Sequence, residues 1–369
     1  MTGADVIVDA FVREGIDRLF VFPGGTIAPV LDVARRRGLE LFCARHEQGA
    51  GYAAIGYARL VRRPQVVMVT SGPGVTNVVT PVADAYFDSV PLVVLTGQVG
   101  TGDMRGERPV RQRGFQEVDT LALMRPIAKA TLLPRRPDEL ASVLAEAFHL
   151  AREGRPGPVI VDLPMDVQRA AVESSGAPVA HRTAFPAVPD PTLLGTAADW
   201  LAQAERPVVL AGQGVMLAGA QPELRALVAR GGGIPVAMTL LSLGVVPTEG
   251  PTALGFVGHT GTQYANRAVH EADLLLVAGA RLDVRQTGTR TDAFVPRGRV
   301  VRIDVDPEEL RHSRVPCHLN LHGDARLALG GLDAALGSRR LPDWSAWRAQ
   351  VDAWKQEFPL PCRNGDGPL

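Results

Sequence analysis

Gln65-Val66-Val67-Met68-Val69-Thr70-Ser71-Gly72-Pro73-Gly74 joins a short apolar run to a glycine-rich turn. An apolar run of strand length with no alternating polar positions predicts a strand covered on both faces, as in a parallel sheet flanked by helices. The turn leaves the carboxyl end of that strand, where ligands sit in open α/β sheets. Upstream, residues 4–14 predict an amphipathic helix closed by Gly15, and Leu19-Phe20-Val21-Phe22 a buried strand. Pro23-Gly24-Gly25 then turns the chain, with glycines that allow close approaches a side chain would block. A helix over 27–37 and a strand ending at Cys43 follow. Downstream, residues 92–96, a helix over 138–152 and Val159-Ile160-Val161-Asp162-Leu163 continue the alternation. The fold class predicted is α/β, a doubly wound parallel sheet over residues 1–172.

A Pro, Ala and Ser-rich linker over 173–190 interrupts the periodicity. The alternation resumes over 191–336: Pro207-Val208-Val209-Leu210-Ala211 runs into Gly212-Gln213-Gly214, residues 234–238 run into Thr239, and 273–278 run into Gly279-Ala280-Arg281. Val300-Val301-Arg302-Ile303-Asp304 is the last clear strand of the series. A second doubly wound domain is therefore expected. Gly212-Gln213-Gly214 starts a dinucleotide fingerprint, but its third glycine is replaced by Leu217.

Between the first two loops lies Ala44-Arg45-His46-Glu47-Gln48-Gly49-Ala50-Gly51-Tyr52. Glu47 falls in the first turn of a helix rich in small residues, which allows close approach of another chain or a flat ligand. A first-turn Glu can simply complement the helix dipole. It can also be a partly buried carboxylate suited to proton exchange with a ligand nitrogen.

Composition narrows the classes. The 369 residues suffice for two ordinary cores. Lys+Arg and Asp+Glu are equal at 39 each, so no charge excess points to nucleic acid or membrane as partner. No apolar run approaches the ~18 residues of a membrane helix, and the expectation is a soluble, cytoplasmic protein. Cys43, Cys317 and Cys362 are too far apart for a disulfide framework or zinc cluster, and no metal ligand set is expected on this chain.

Arg45-His46-Glu47-Gln48-Gly49-Ala50, read with Ser71-Gly72-Pro73-Gly74-Val75-Thr76-Asn77 and Val90-Pro91-Leu92-Val93-Val94-Leu95-Thr96-Gly97-Gln98, closely resembles the thiamine-diphosphate enzymes of the acetolactate synthase family. The resemblance runs along the whole chain. It implies that Glu47 hydrogen-bonds the aminopyrimidine ring of thiamine diphosphate. It also implies that Pro23, Gly24 and Gly25 lie beside the reacting carbon, that Gly25 and Gln116 line the reacting centre, and that Gly74 and Asn77 shape the cofactor pocket. Phe115-Gln116-Glu117-Val118-Asp119 resembles the segment whose Phe and Gln face the substrate channel, and Lys129 matches a lysine near its mouth. The preceding stretch, 100–114, is longer than in the family and is expected to be exposed and mobile.

The second half resembles the middle domain of that family, which holds FAD without using its redox chemistry. Gly212, Thr239, Arg281, Asp283, Arg285, Asp304 and Asp324 are the contacts implied. Gly258-His259-Thr260-Gly261-Thr262 departs from the family's Gly-Met-His-Gly-Thr, and Val284 and Gln286 also differ from its usual residues. Family members carry a third domain that binds the diphosphate through Mg²⁺. Residues 337–369, including Gly365-Asp366-Gly367, resemble the linker before it. The expectation is a separate chain bearing the diphosphate domain and the Mg²⁺ ligands, in a homodimer or heterotetramer that decarboxylates a small 2-oxo acid such as pyruvate and transfers the two-carbon unit to an acceptor. Two alternatives share these features: a non-catalytic regulatory or flavin-binding scaffold, and another reaction of the superfamily such as acyl-CoA decarboxylation.

Overall fold

Among the described residues all the strands pair parallel, in two six-stranded sheets. The computed structural model describes residues 1–172 and 186–359. The chain divides into two compact units, Met1–Phe185 and Pro186–Leu369. Residues 173–185 of the expected linker, and Gly365-Asp366-Gly367, lie outside the described residues.

The first unit runs α1 (Gly3–Arg13), β1 (Arg18–Val21), α2 (Ala28–Arg36), β2 (Glu40–Cys43), α3 (Glu47–Val61), β3 (Gln65–Val69), α4 (Pro73–Phe87), β4 (Leu92–Gln98), α5 (Thr120–Met124), β5 (Ala130–Leu132), α6 (Leu140–Arg152), β6 (Pro158–Pro164) and α7 (Met165–Arg169). Its sheet has the order β2-β1-β3-β4-β6-β5. β3, β4 and β6 are buried along their whole length, which is why their sequences carry apolar residues at consecutive positions. One face of the sheet packs on α1, α2 and α6 through residues such as Phe11, Leu19 and Phe148. The other packs on α3 and α4 through Ala50, Ala54, Val78 and Val82. A Cβ at Gly51 would meet Pro81 Cγ at 2.5 Å, so the small residues of α3 set how closely it lies on α4. Much of the small-residue face expected to meet another chain is thus used within this unit, while Gly49 and Gly56 stay exposed.

The second unit runs α8 (Pro191–Gln203), β7 (Pro207–Ala211), α9 (Gln213–Leu217), α10 (Gln221–Val228), β8 (Val236–Met238), β9 (Ala253–Phe256), α11 (Gln263–Glu271), β10 (Leu274–Ala278), α12 (Val284–Thr287), β11 (Arg299–Asp304), α13 (Pro307–Arg311), β12 (Leu319–His322), α14 (Ala325–Leu336) and α15 (Ser345–Glu357). Its sheet has the order β12-β11-β10-β7-β8-β9. The strand order reverses between β7 and β10, which places a crevice at their carboxyl ends.

Residues 337–359, expected as linker, include an element of this core. Trp344, Trp347, Val351 and Trp354 fall on one face of α15 and its entry, and all four are buried in the unit's apolar cluster. Trp344 is 1% exposed and its indole N–H donates to the Ala204 carbonyl at 2.7 Å. Burying large aromatic rings at spacings of three and four is what a packed helix does and a linker does not.

Candidate functional site

Because the first sheet is wholly parallel, the loops after β1, β2, β3 and β4 all leave from one edge. That edge gathers Pro23, Gly24, Gly25, Glu47, Gly74, Asn77 and Gln116. Two of the loops are tied by hydroxyls: Thr26 Oγ1 and Thr70 Oγ1 lie 2.8 Å apart, and the Ser71 N–H donates to Thr26 Oγ1 at 3.0 Å. Thr70 fills the space a side chain at Gly24 would need, at 2.3 Å, whereas the equivalent position at Gly25 faces open space. The expected crowding therefore applies at Gly24, and Gly25 leaves room beside the main chain.

Glu47 begins α3, with His46 as its cap: the Gln48 N–H donates to His46 Nδ1 at 3.1 Å. The Glu47 side chain turns inward and is only 4% exposed. Asn77, one turn into α4, donates from Nδ2 to Glu47 Oε2 at 3.0 Å. Among the described residues Oε1 accepts no hydrogen bond, so a buried carboxylate is held by one oxygen and offers the other. That second oxygen is not sealed from solvent, so a polar partner can reach it. This is the environment expected of a group that meets a ligand nitrogen, and it fits the aminopyrimidine of thiamine diphosphate. Gly74 lies one turn before Asn77 and is buried against Thr70.

Gln116 joins this group from the loop after β4. Its φ is 58°, a left-handed value that costs a non-glycine residue about 1–2 kcal/mol. Gly72 faces it with φ 62°, and a Cβ on Gly72 would meet Gln116 Cβ at 2.7 Å. Only glycine fits there. Phe115, next in chain, is 80% exposed and packs into no core. Strain of this kind persists where the surroundings enforce it, and it clusters at functional sites.

Lys129 is not brought to the group. It precedes β5, at the amino end of the sheet, opposite the edge that holds Glu47 and Gln116, and its ammonium donates to the Glu153 carbonyl. The stretch 100–114 is mostly exposed, as expected, but is tied down by Glu117, whose Oε1 accepts the Arg105 N–H and whose Oε2 accepts the N–H groups of Arg113 and Gly114.

Residues that motif reading passed over hold the loops from beneath. Asp162 on β6 is buried, accepts the Thr96 hydroxyl at 2.7 Å and Gln98 Nε2 at 2.9 Å, and Gln98 Nε2 also donates to the Val118 carbonyl at 3.0 Å. Burial pushes the Asp162 carboxyl up to about 6, against the hydrogen bonds from Thr96 and Gln98 that favour its charge. The signal was present in the sequence: polar residues inside fully apolar strands need partners.

In the second unit the reversal point is closely built. The Gly212 N–H donates to the Ala278 carbonyl at 2.8 Å and the Gly214 N–H to the Gly279 carbonyl at 3.0 Å, while a Cβ on Gly212 would lie 2.1 Å from that oxygen. Thr239 follows β8, and Ser242 returns its hydroxyl to the Ala211 carbonyl at 2.6 Å. After β10, Leu282 is fully buried with φ 59°, which turns its neighbours Arg281 and Asp283 outward as a loose ion pair at 3.7 Å. Arg285 is exposed. The departing residue His259 uses its main-chain N–H on the Arg285 carbonyl at 2.7 Å. Asp304, at the end of β11, lies 3.5 Å from the guanidinium of fully buried Arg302. Asp324 follows β12 at the same edge as Asp304, and its Oδ1 accepts the N–H groups of Arg326 and Leu327 and caps α14. Gly212, Thr239, Arg281, Asp283, Arg285, Asp304 and Asp324 therefore gather on one edge of this unit. Leu240, Leu241, Leu243 and Val284 stand exposed on the same set of loops.

Among the described residues no group of three or more His, Cys, Asp and Glu comes together to hold a metal ion. Among them, no helix is long and apolar enough to cross a membrane.

Comparison with known proteins agrees with the two parallel-sheet units. Residues 1–123 match the thiamine pyrophosphate enzyme N-terminal TPP binding domain, and residues 194–332 the thiamine pyrophosphate enzyme central domain. The chain is 41% identical over 373 residues to a probable chloroplastic acetolactate synthase 2 of Oryza sativa subsp. japonica, covering 98% of this chain and 55% of that protein. It is 39% identical over 371 residues to a probable acetolactate synthase large subunit of Methanocaldococcus jannaschii, covering 99% and 61%. Against the acetolactate synthase isozyme 2 large subunit of Escherichia coli it is 39% identical over 364 residues, covering 97% and 64%. The chain thus spans between about half and two thirds of the length of these relatives. With both domain matches falling on the two parallel-sheet units, and the relatives agreeing along nearly its whole length, the chain belongs to the thiamine pyrophosphate enzymes of the acetolactate synthase large-subunit family.

Proposed function

We propose that this chain supplies the pyrimidine side of a thiamine-diphosphate site in an acetolactate-synthase-like carboligase, acting on a small 2-oxo acid, with pyruvate as the donor. The observation that carries this reading is the buried Glu47 carboxylate, held through Oε2 by Asn77 and open at Oε1. When bound, the cofactor supplies the carbanion chemistry of decarboxylation and transfer. Glu47 would exchange a proton with the pyrimidine nitrogen through its unpaired oxygen. Gly25 leaves room beside the reacting centre, Gln116 and Phe115 border it from the loop after β4, and Gly74 and Asn77 bound the ring.

The diphosphate needs Mg²⁺ held by oxygen ligands. We assign those ligands to a diphosphate-binding domain on a separate chain, in a homodimer or heterotetramer. In the second unit, Arg281 and Arg285 offer cations for a diphosphate, Asp304 an acceptor for a ribose hydroxyl, and the exposed leucines a surface for a flat ring. We infer that this edge holds FAD in a non-redox role. A substrate role for Lys129 would require it to act from across a subunit boundary, since it lies at the far edge of its own sheet.

The test is reconstitution. The chain is mixed with candidate partners bearing a diphosphate domain, and CO₂ release from pyruvate is followed with thiamine diphosphate and Mg²⁺ present. Activity that needs both chains supports the proposal. Full activity of this chain alone refutes the partner assignment, and no activity with any partner that binds it refutes the carboligase reading.

A further inference from the structure

Glu117 makes three hydrogen bonds that have nothing to do with its own helix or strand. Oε1 accepts the Arg105 N–H at 2.6 Å, and Oε2 accepts the N–H groups of Arg113 at 2.8 Å and Gly114 at 3.3 Å. One carboxylate thereby clasps both ends of the 105–114 stretch. Burial works against its charge, but the three main-chain donors outweigh it and hold the carboxyl below its usual range. The stretch is also closed at its base: a Cβ on Gly114 would meet Val99 at 2.6 Å, and Gln98 Nε2 reaches the Val118 carbonyl at 3.0 Å. Between these two ties sit Phe115 and Gln116. Gln116 keeps a left-handed backbone and presses on the Gly72 turn. Nothing in an isolated Gln favours that conformation, so the surroundings must hold it there.

We propose that Glu117 is a positioning residue for Gln116: by clasping the main chain at Arg105, Arg113 and Gly114 it fixes the loop that sets Gln116 against Gly72 at the edge of the site. The inference rests on the reading of Gln116 as part of the site, and deepens it. An amide at this position fails whichever way it is turned, because one of its ends must point N–H at N–H. Glu117→Gln is therefore a clean lesion on a partly exposed residue.

The experiment is amide hydrogen exchange on the full chain, wild type against Glu117→Gln, followed by turnover of the same variant in complex with its partner. Loss of charge-assisted bonds should speed exchange over 100–119 by about tenfold or more. The effect should reach residues 72–76, across the Gln116 contact, while β1, β3 and β4 hold their wild-type rates. In turnover, kcat should fall roughly 10- to 100-fold with the KM for thiamine diphosphate unchanged, as expected when a reacting-centre group is displaced. A loop-tidying role would speed 105–114 alone and leave 72–76 and kcat untouched; that result, or no change anywhere, overturns the proposal. Should Glu117→Gln loosen the whole unit, Glu117→Asp decides by the same criterion, since it keeps the charge but cannot span both ends. Faster exchange at 72–76 with unchanged kcat would leave the clasp standing and remove Gln116 from the chemistry, so the two readings fail separately.

Discussion

Asn77 donates its side-chain N–H to Oε2 of Glu47 at 3.0 Å, linking the start of α3 to α4 one turn in, across 30 residues of sequence. The bond fixes a carboxylate that is almost fully buried. Removing the donor leaves that oxygen without its partner. Asn77→Ala should destabilise the chain by about 1.5–3 kcal/mol in urea unfolding. Thr80→Ala, at an exposed position of the same helix, should stay within about 0.5 kcal/mol. Equal effects of the two would show that the bond carries no energy.

Asp162 gives the first unit a pH signature of unusual sign. Burial pushes its carboxyl from 3.8 up to about 6, so the folded chain holds that proton more tightly than the unfolded chain. The stability tied to this proton is present below about pH 4 and is lost as the pH rises through about 6. The full difference amounts to about 3 kcal/mol. Asp162→Asn should flatten the fall in stability over that window, measured as urea midpoints at a series of pH values. An unchanged slope would remove Asp162 as its source.

Trp344 ties the end of the chain to the second core. Its ring is buried and its indole N–H donates to the Ala204 carbonyl. Trp344→Ala should cost about 3–5 kcal/mol. Calorimetry that resolves the two units should show the loss in the second unit's transition with the first unit's midpoint unmoved.

How much of this could be read beforehand depends on the length scale of each signal. The sheets were legible because consecutive apolar residues, as in Val66-Val67-Met68-Val69, mean burial on both faces. The position of Glu47 followed from the strand before it and the small residues after it. Its partner was legible only as a residue type, since the bond from Asn77 depends on how closely Gly51 lets α3 approach Pro81. The clasp by Glu117 could not be read, because a carboxylate that accepts main-chain N–H groups leaves no mark on the sequence of its partners. Lys129 is legible only in its order along the chain, because a motif does not fix the sheet edge on which a residue falls, and this one lies at the amino end, away from Glu47. The Trp residues of 344–354 did carry a helical spacing, which the expectation of a linker overlooked.

The proposed function turns on Glu47 as the acid that would meet the pyrimidine. The most direct measurement is turnover of pyruvate by the reconstituted complex with Glu47→Gln, alongside the amount of thiamine diphosphate retained. An amide keeps the shape and can still accept from Asn77, but it cannot exchange the proton. The expected result is a fall in kcat of roughly 10²- to 10⁴-fold with the cofactor still bound. Turnover equal to that of the wild type would contradict it.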